Sequence, residues 1–147
     1  NMYNGLLHAH SGIRWVVLAL LIITVIKAFS GWLGKKEYSS GDSKLAMLTF
    51  NVINVQFLLG VALYFISPKV VFSSETMGND VLRFFTMEHI TFMIIAIALI
   101  SIGYSKAKKA SADLIKHKKI AIMYGIGLLL ILAGIPWPFL GLGSSWF

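Results

Sequence analysis

The feature that most constrains the fold is the stretch from Val81 to Ser105, an almost uncharged apolar run that reads VLRFFTMEHITFMIIAIALISIGYS. A run of nearly 20 such residues is long enough to cross a hydrocarbon layer of about 30 Å. His89 lies inside this run, six residues after Arg83. A titratable side chain at membrane depth is costly unless it is paired or functional, so His89 is a candidate site residue.

The composition indicates a membrane protein. Of the 147 residues, 57% are hydrophobic and only 13% are charged, whereas soluble domains carry about 25% charged residues. The absence of cysteine excludes disulfides, thiolate metal sites and cysteine nucleophiles. The net charge of +7 does not indicate nucleic-acid binding, because the basic residues lie in short connections without interleaved aromatic residues.

Four apolar runs predict an all-α integral membrane protein, folded as one domain over residues 1–147. Short polar connections between the runs make consecutive helices antiparallel neighbours in an up-down bundle. Proline ends two of the runs, and the segment between the second and third is expected to lie across the membrane surface. The first run does not resemble a cleaved signal peptide, because no basic residue precedes it. The predicted spans are about 6–34, 45–67, 81–105 and 120–135.

The distribution of basic residues predicts the orientation. Connections one–two and three–four carry nine lysines, whereas the opposite side carries only Arg14, Lys69 and Arg83. Short loops rich in lysine and arginine face the cytoplasm. Both termini are therefore expected on the outer side.

The predicted topology brings three of the four histidines to one membrane level. Runs one and three both begin on the outer side, so His8 and His10 share a level with His89, and His117 lies alone on the inner side. Residues two positions apart on a helix are separated by about 200° around its axis. His8 and His10 therefore cannot both face the bundle interior. His10 shares a face with Arg14, one turn further along.

Two imidazoles from different helices in an apolar bundle suit the axial ligation of haem iron, and nearby cations suit the propionates. His10 and His89 are the candidate ligands, and Arg14 and Arg83 are the candidate cations. A flat macrocycle needs small residues beside it. The small residues in the outer half of runs two and four are Gly60, Ala62, Ala133 and Gly134.

Each of these residues also has a structural interpretation, which the sequence leaves open. His89 could make a structural hydrogen bond, and His8 could contact lipid headgroups. His117, in the sequence KHKK, is expected to be solvated. The glycines could be helix-packing contacts. The amides of Asn51, Asn54 and Gln56 could join helices or, with Tyr64 or Tyr124, line a quinone site.

The segments LHAHSGIRW, MEHITFM, KHKKIA and IPWPF resemble small bacterial membrane proteins labelled cytochrome b, over nearly the whole chain. More loosely, the architecture is similar to four-helix cytochrome b561-type proteins. The resemblance implies haem b held by histidines on different helices, electron exchange between quinol and a redox partner, and a bacterial cytoplasmic membrane location. It assigns His10 and His89 as the outer pair. His117 lacks a partner histidine, since run two offers Asn54, so one haem at most is expected.

A second hypothesis assigns no cofactor. The chain would then be an accessory subunit that packs in the bilayer against a larger respiratory or transport complex, or against copies of itself. Gly60, Gly125, Gly127 and Gly134 would form the helix or subunit contacts. A small transporter is disfavoured because no span interior carries a carboxylate.

Overall fold

The computed structural model describes all 147 residues and contains four helices long and apolar enough to cross a membrane. No strand is present, so the predicted all-α bundle of four membrane-length helices is confirmed. We number the helices α1 to α4. They run Met2–Leu33, Ser40–Ile66, Asp80–Lys109 and Asp113–Gly134.

The helices begin before the predicted apolar runs, and polar side chains cap the starts of α1 and α2. Asn1 caps α1 by accepting a hydrogen bond from the Asn4 amide. At the start of α2, the Ser39 hydroxyl accepts from the Asp42 amide while the Asp42 carboxylate accepts from the Ser39 amide. This reciprocal capping box satisfies two amides that a helix start leaves unpaired.

Helix α3 is interrupted by one π-helical turn over Phe84–Glu88. The amide of His89 there donates to the carbonyl of Phe84, five residues back. A π turn inserts one extra residue and so rotates the helix that follows it. The π turn therefore sets the direction in which the His89 side chain projects from α3.

Small residues bring α3 and α4 into close contact. A Cβ on Gly127 would lie 2.7 Å from the Ile100 side chain, and one on Gly134 would lie 2.7 Å from the Phe92 Cβ. Close backbone approach of this kind is the usual source of helix association in lipid. These two glycines therefore pack helices within the chain.

Hydrogen bonds join α2 to α1 and α4 in the half of the bundle away from the termini. The hydroxyls of Thr24 and Thr49 lie 2.8 Å apart, and the Tyr124 hydroxyl donates to the Ala46 carbonyl at 2.9 Å. Helix α1 packs along both α2 and α4, whereas α2 makes little contact with α3. The bundle is therefore loosest between α2 and α3.

Both chain termini lie at one end of the bundle, which we call the terminal end (residues 1–12 and 136–147). The C-terminal segment folds back on α1, where the Trp146 carbonyl accepts from Arg14 Nη2 at 2.7 Å and from Trp15 Nε1 at 2.9 Å. The connections 34–39 and 110–112 lie at the opposite, lysine-rich end.

Candidate functional site

A cavity lies among the helices in the half of the bundle nearer the terminal end. The cavity is open at its mouth and has a volume of about 150 Å³. Its walls are mainly apolar, and its polar groups come from α1, α2, the segment after α2, and α3. They include His10, Arg14, Gln56, Lys69 and His89.

The structure brings His10 and His89 together on the wall of this cavity. Their ring centroids are 6.3 Å apart, and their planes make an angle of 89°. Metal–imidazole bonds are about 2 Å long, and each ring centre lies about 1 Å beyond its nitrogen, so two imidazoles that held one metal between them would have ring centres about 6 Å apart. The separation between the His10 and His89 rings is compatible with that arrangement.

His89 is oriented by a backbone carbonyl that proline leaves unpaired. Its Nδ1 lies 2.6 Å from the Gly134 carbonyl oxygen. The helical donor to Gly134 would be the amide four residues on, but that residue is Pro138, which has no N–H. A carbonyl can only accept, so Nδ1 carries the proton and Nε2 keeps its lone pair for a ligand.

The other proline of the sequence IPWPF acts in the same way. Pro136 stands four residues after Leu132 and cannot donate to its carbonyl. The Trp137 indole N–H donates to it instead, at 3.0 Å. The two prolines therefore end α4 and release two carbonyls, one of which fixes His89.

The cavity wall also carries every buried polar side-chain atom of the protein that has no hydrogen-bond partner. These atoms are His10 Nδ1, Arg14 Nε and Gln56 Oε1. Buried polar groups are normally paired, and an unpaired one in a native structure calls for an explanation. Their confinement to a single cavity makes it the candidate ligand site of the protein.

Two cations lie on the cavity wall near the terminal end. Arg14 is buried and donates through Nη2 to the Trp146 carbonyl, while Lys69 Nζ donates to the Gly143 carbonyl at 3.4 Å. Arg83 does not line the cavity. It pairs instead with Asp80 at 2.8 Å and with Glu88 at 2.9 Å on the surface of α3. Lys69 thus occupies the position that the sequence suggested for Arg83.

The remaining predicted site residues lie in different places. Gly60 lines the cavity, but a Cβ there would lie 3.0 Å from His10 Cε1, so this glycine makes room for the His10 ring. Ala62 and Ala133 are exposed, away from the cavity. His8 is also exposed, on the face of α1 opposite His10.

His117 lies at the lysine-rich end and takes no part in the cavity. The expectation that it is solvated is wrong, since it is only 2% exposed. Its Nε2 lies 3.2 Å from the Glu37 carbonyl, and its ring packs edge-on against Tyr38 with centroids 5.0 Å apart. Gly31 leaves the space that this ring fills, because a Cβ there would overlap the imidazole.

Sequence reasoning gave no site role to Lys69, and it assigned Tyr64 only to an alternative quinone site. Lys69 follows Pro68 just after α2 and lies at the membrane level of Arg14. That shared level is the sequence feature from which its place beside Arg14 could have been predicted. Tyr64 donates to the Thr86 carbonyl in the π turn at 2.6 Å. Nothing in the sequence marks that turn, so the hydrogen bond between Tyr64 and Thr86 could not be predicted.

The cavity offers two histidines as candidate ligands, and no carboxylate lines it. The chain has no cluster of three or more histidine, cysteine, aspartate or glutamate side chains that could hold a metal. A porphyrin supplies four nitrogens and needs only axial ligands from the protein.

No family model, no curated protein and no solved structure matches the chain.

Proposed function

We propose that the protein is a membrane b-type cytochrome that holds one haem b between His10 and His89. The observation that carries this proposal is the pair of imidazoles from two different helices, with centroids 6.3 Å apart, on the wall of one mainly apolar cavity. When bound, haem b supplies a one-electron couple within the membrane.

Each part of the cavity has a role in this proposal. His10 and His89 would hold the haem iron, and apolar side chains such as Ile53, Phe57 and Met93 would exclude water from the haem. Arg14 and Lys69 offer cations to the propionates. In this structure both cations donate to carbonyls of the C-terminal segment. On haem binding they would donate to the propionate carboxylates instead.

The partners in this proposal are quinol, dissolved in the bilayer, and a redox protein or respiratory-complex subunit. The four apolar helices support contact with lipid along the length of the bundle. With the lysine-rich connections facing the cytoplasm of a bacterial cell, the haem would lie near the outer face of the cytoplasmic membrane.

The test is the reduced-minus-oxidised absorption spectrum of the detergent-purified protein, produced with added haem precursor. We expect Soret and α bands in the wild type and in His8→Ala, whose side chain is exposed. His10→Ala and His89→Ala should lose them. A wild type that forms a stable bundle without pigment would reject the proposal and favour the accessory-subunit hypothesis.

A further inference from the structure

A second, polar cavity lies at the lysine-rich end of the bundle, away from the two histidines of the candidate haem site. Its volume is about 160 Å³, several times the share of about 30 Å³ that one water molecule takes in the liquid. The start of α2 with the connection before it, the last turns of α3 and the first turn of α4 build its walls. The lining residues are Tyr38, Ser43, Tyr104, Ala107, Lys108 and Lys116.

The two charged groups of this cavity are both cations. Lys116 Nζ donates to the Ala107 carbonyl at 3.0 Å and to the Lys108 carbonyl at 3.5 Å, so it is held at the end of α3. It also lies 5.8 Å from the centre of the Tyr38 ring, and Lys108 Nζ lies 5.9 Å from the centre of the Tyr104 ring. An ammonium group has three N–H donors. These hydrogen bonds therefore leave at least one N–H of each lysine for a further acceptor.

No carboxylate neutralises the two lysines of the cavity. The ion pairs of the chain involve only Lys27 and Arg83 as cations, and no acid is among the lining residues. Asp42 is the acid four residues after Tyr38, but its carboxylate accepts from both the amide and the hydroxyl of Ser39. The cavity is therefore positively charged, and its tyrosine and serine hydroxyls add donors that suit an anion.

Both lysines lie at the level of the lipid headgroups. Lys108 is three residues beyond the predicted span of α3, and Lys116 is four residues before the predicted span of α4. At about 1.5 Å per residue these separations are about 4.5 and 6 Å. The headgroup region adds about 5–7 Å on each side of the hydrocarbon core. Leu114 and Ile115, next to Lys116, are exposed apolar side chains, which supports contact with lipid at this level.

We propose that this cavity binds the phosphate group of an anionic phospholipid. Basic pockets between membrane helices on the cytoplasmic side are a recurrent type of site for anionic headgroups. Lys108 and Lys116 would pair with the phosphate oxygens, and the hydroxyls of the lining would donate to the same group. A lipid held there would contact α2, α3 and α4, and so would join α2 to α3, where the bundle is loosest. The site involves no haem and stands independently of the proposed function.

The test measures lipid binding to the detergent-purified full chain by native mass spectrometry. The protein is titrated with dioleoyl phosphatidylglycerol, which is anionic, and with dioleoyl phosphatidylcholine, which is zwitterionic. Lys108→Gln is compared with the matched control Lys109→Gln, because both lysines are exposed at the end of α3 and only Lys108 lines the cavity. We expect the wild type to prefer phosphatidylglycerol. Lys108→Gln should weaken that binding about fivefold, the usual effect of one lysine at an anionic lipid surface, and Lys109→Gln should match the wild type.

Three results would overturn the proposal. Equal weakening in Lys108→Gln and Lys109→Gln would indicate diffuse attraction to a basic surface, and equal binding of both lipids by the wild type would show no preference for an anion. Displacement of phosphatidylglycerol by an equimolar amount of inorganic phosphate would assign the cavity to a free anion instead of a lipid. Circular dichroism of each variant checks that the helices are retained.

Discussion

Gly103→Ala should destabilise the bundle, because the added methyl group meets an atom that cannot rotate away. A Cβ at Gly103 would lie 2.5 Å from the Cβ of Met123 and 3.3 Å from the Lys119 carbonyl oxygen. Both are fixed to the α4 backbone, so relief requires α3 and α4 to separate. Overpacking of this kind typically costs 1–3 kcal/mol.

Gly125→Ala is the matched control for the magnitude. It is also a glycine inside a membrane-length helix, but its added Cβ would make only an ordinary contact, 3.7 Å from Phe29. Alanine gains up to about 1 kcal/mol over glycine in helix propensity at either position. Because this gain cancels between the two variants, Gly103→Ala should be less stable than Gly125→Ala by about 1–3 kcal/mol.

The assay is unfolding of the detergent-solubilised protein by SDS, followed by circular dichroism and tryptophan fluorescence. The free energy of unfolding is extrapolated for the wild type and both variants. Equal free energies for Gly103→Ala and Gly125→Ala would refute the packing of α3 against α4 described above.

Three further predictions concern the cavity and the lysine-rich end. Gly60→Ala should weaken haem retention without loss of helicity, because the new Cβ would press on His10 Cε1 from 3.0 Å; a haem-transfer assay checks this. Tyr64→Phe leaves the Thr86 carbonyl without its donor and should lower the free energy of unfolding by about 1 kcal/mol, measured by the same SDS titration. Burial, together with Asp42 and Tyr104, raises the pKa of Tyr38 to about 12. A raised tyrosine pKa contributes stability below the ordinary value of 10.0, and this is lost as the pH rises through 12. Tyr38→Phe should therefore lose less stability between pH 10 and 12 than the wild type, and equal losses would contradict this.

The sequence predicted the number and membrane character of the helices because hydropathy reports directly on burial in lipid. The helices begin before the apolar runs that hydropathy marks. The polar segment before Ile120 is helical from Asp113, since a chain can continue as a helix into water once its apolar part is anchored. The capping box of Ser39 and Asp42 was readable, but it lay within residues interpreted as a turn.

The site was predictable only in part, because helix periodicity gives a face and not a contact. The spacing predicted that His10 and Arg14 share one face of α1 and that His8 lies on the opposite face. Arg83 has the expected depth, but acidic neighbours on its own helix hold it on the surface. His117 of α4 is buried because Gly31, on α1, leaves space for its ring. No local sequence pattern reveals a contact between two helices.

The most direct test of the central claim is the haem content of the purified protein, measured as haem per polypeptide chain. The proposed site predicts about one haem per chain in the wild type and in His117→Ala, since axial ligation at this cavity uses one pair of histidines. His89→Ala should contain almost none. A wild type without haem, or a His89→Ala variant that keeps its full complement, would contradict the claim.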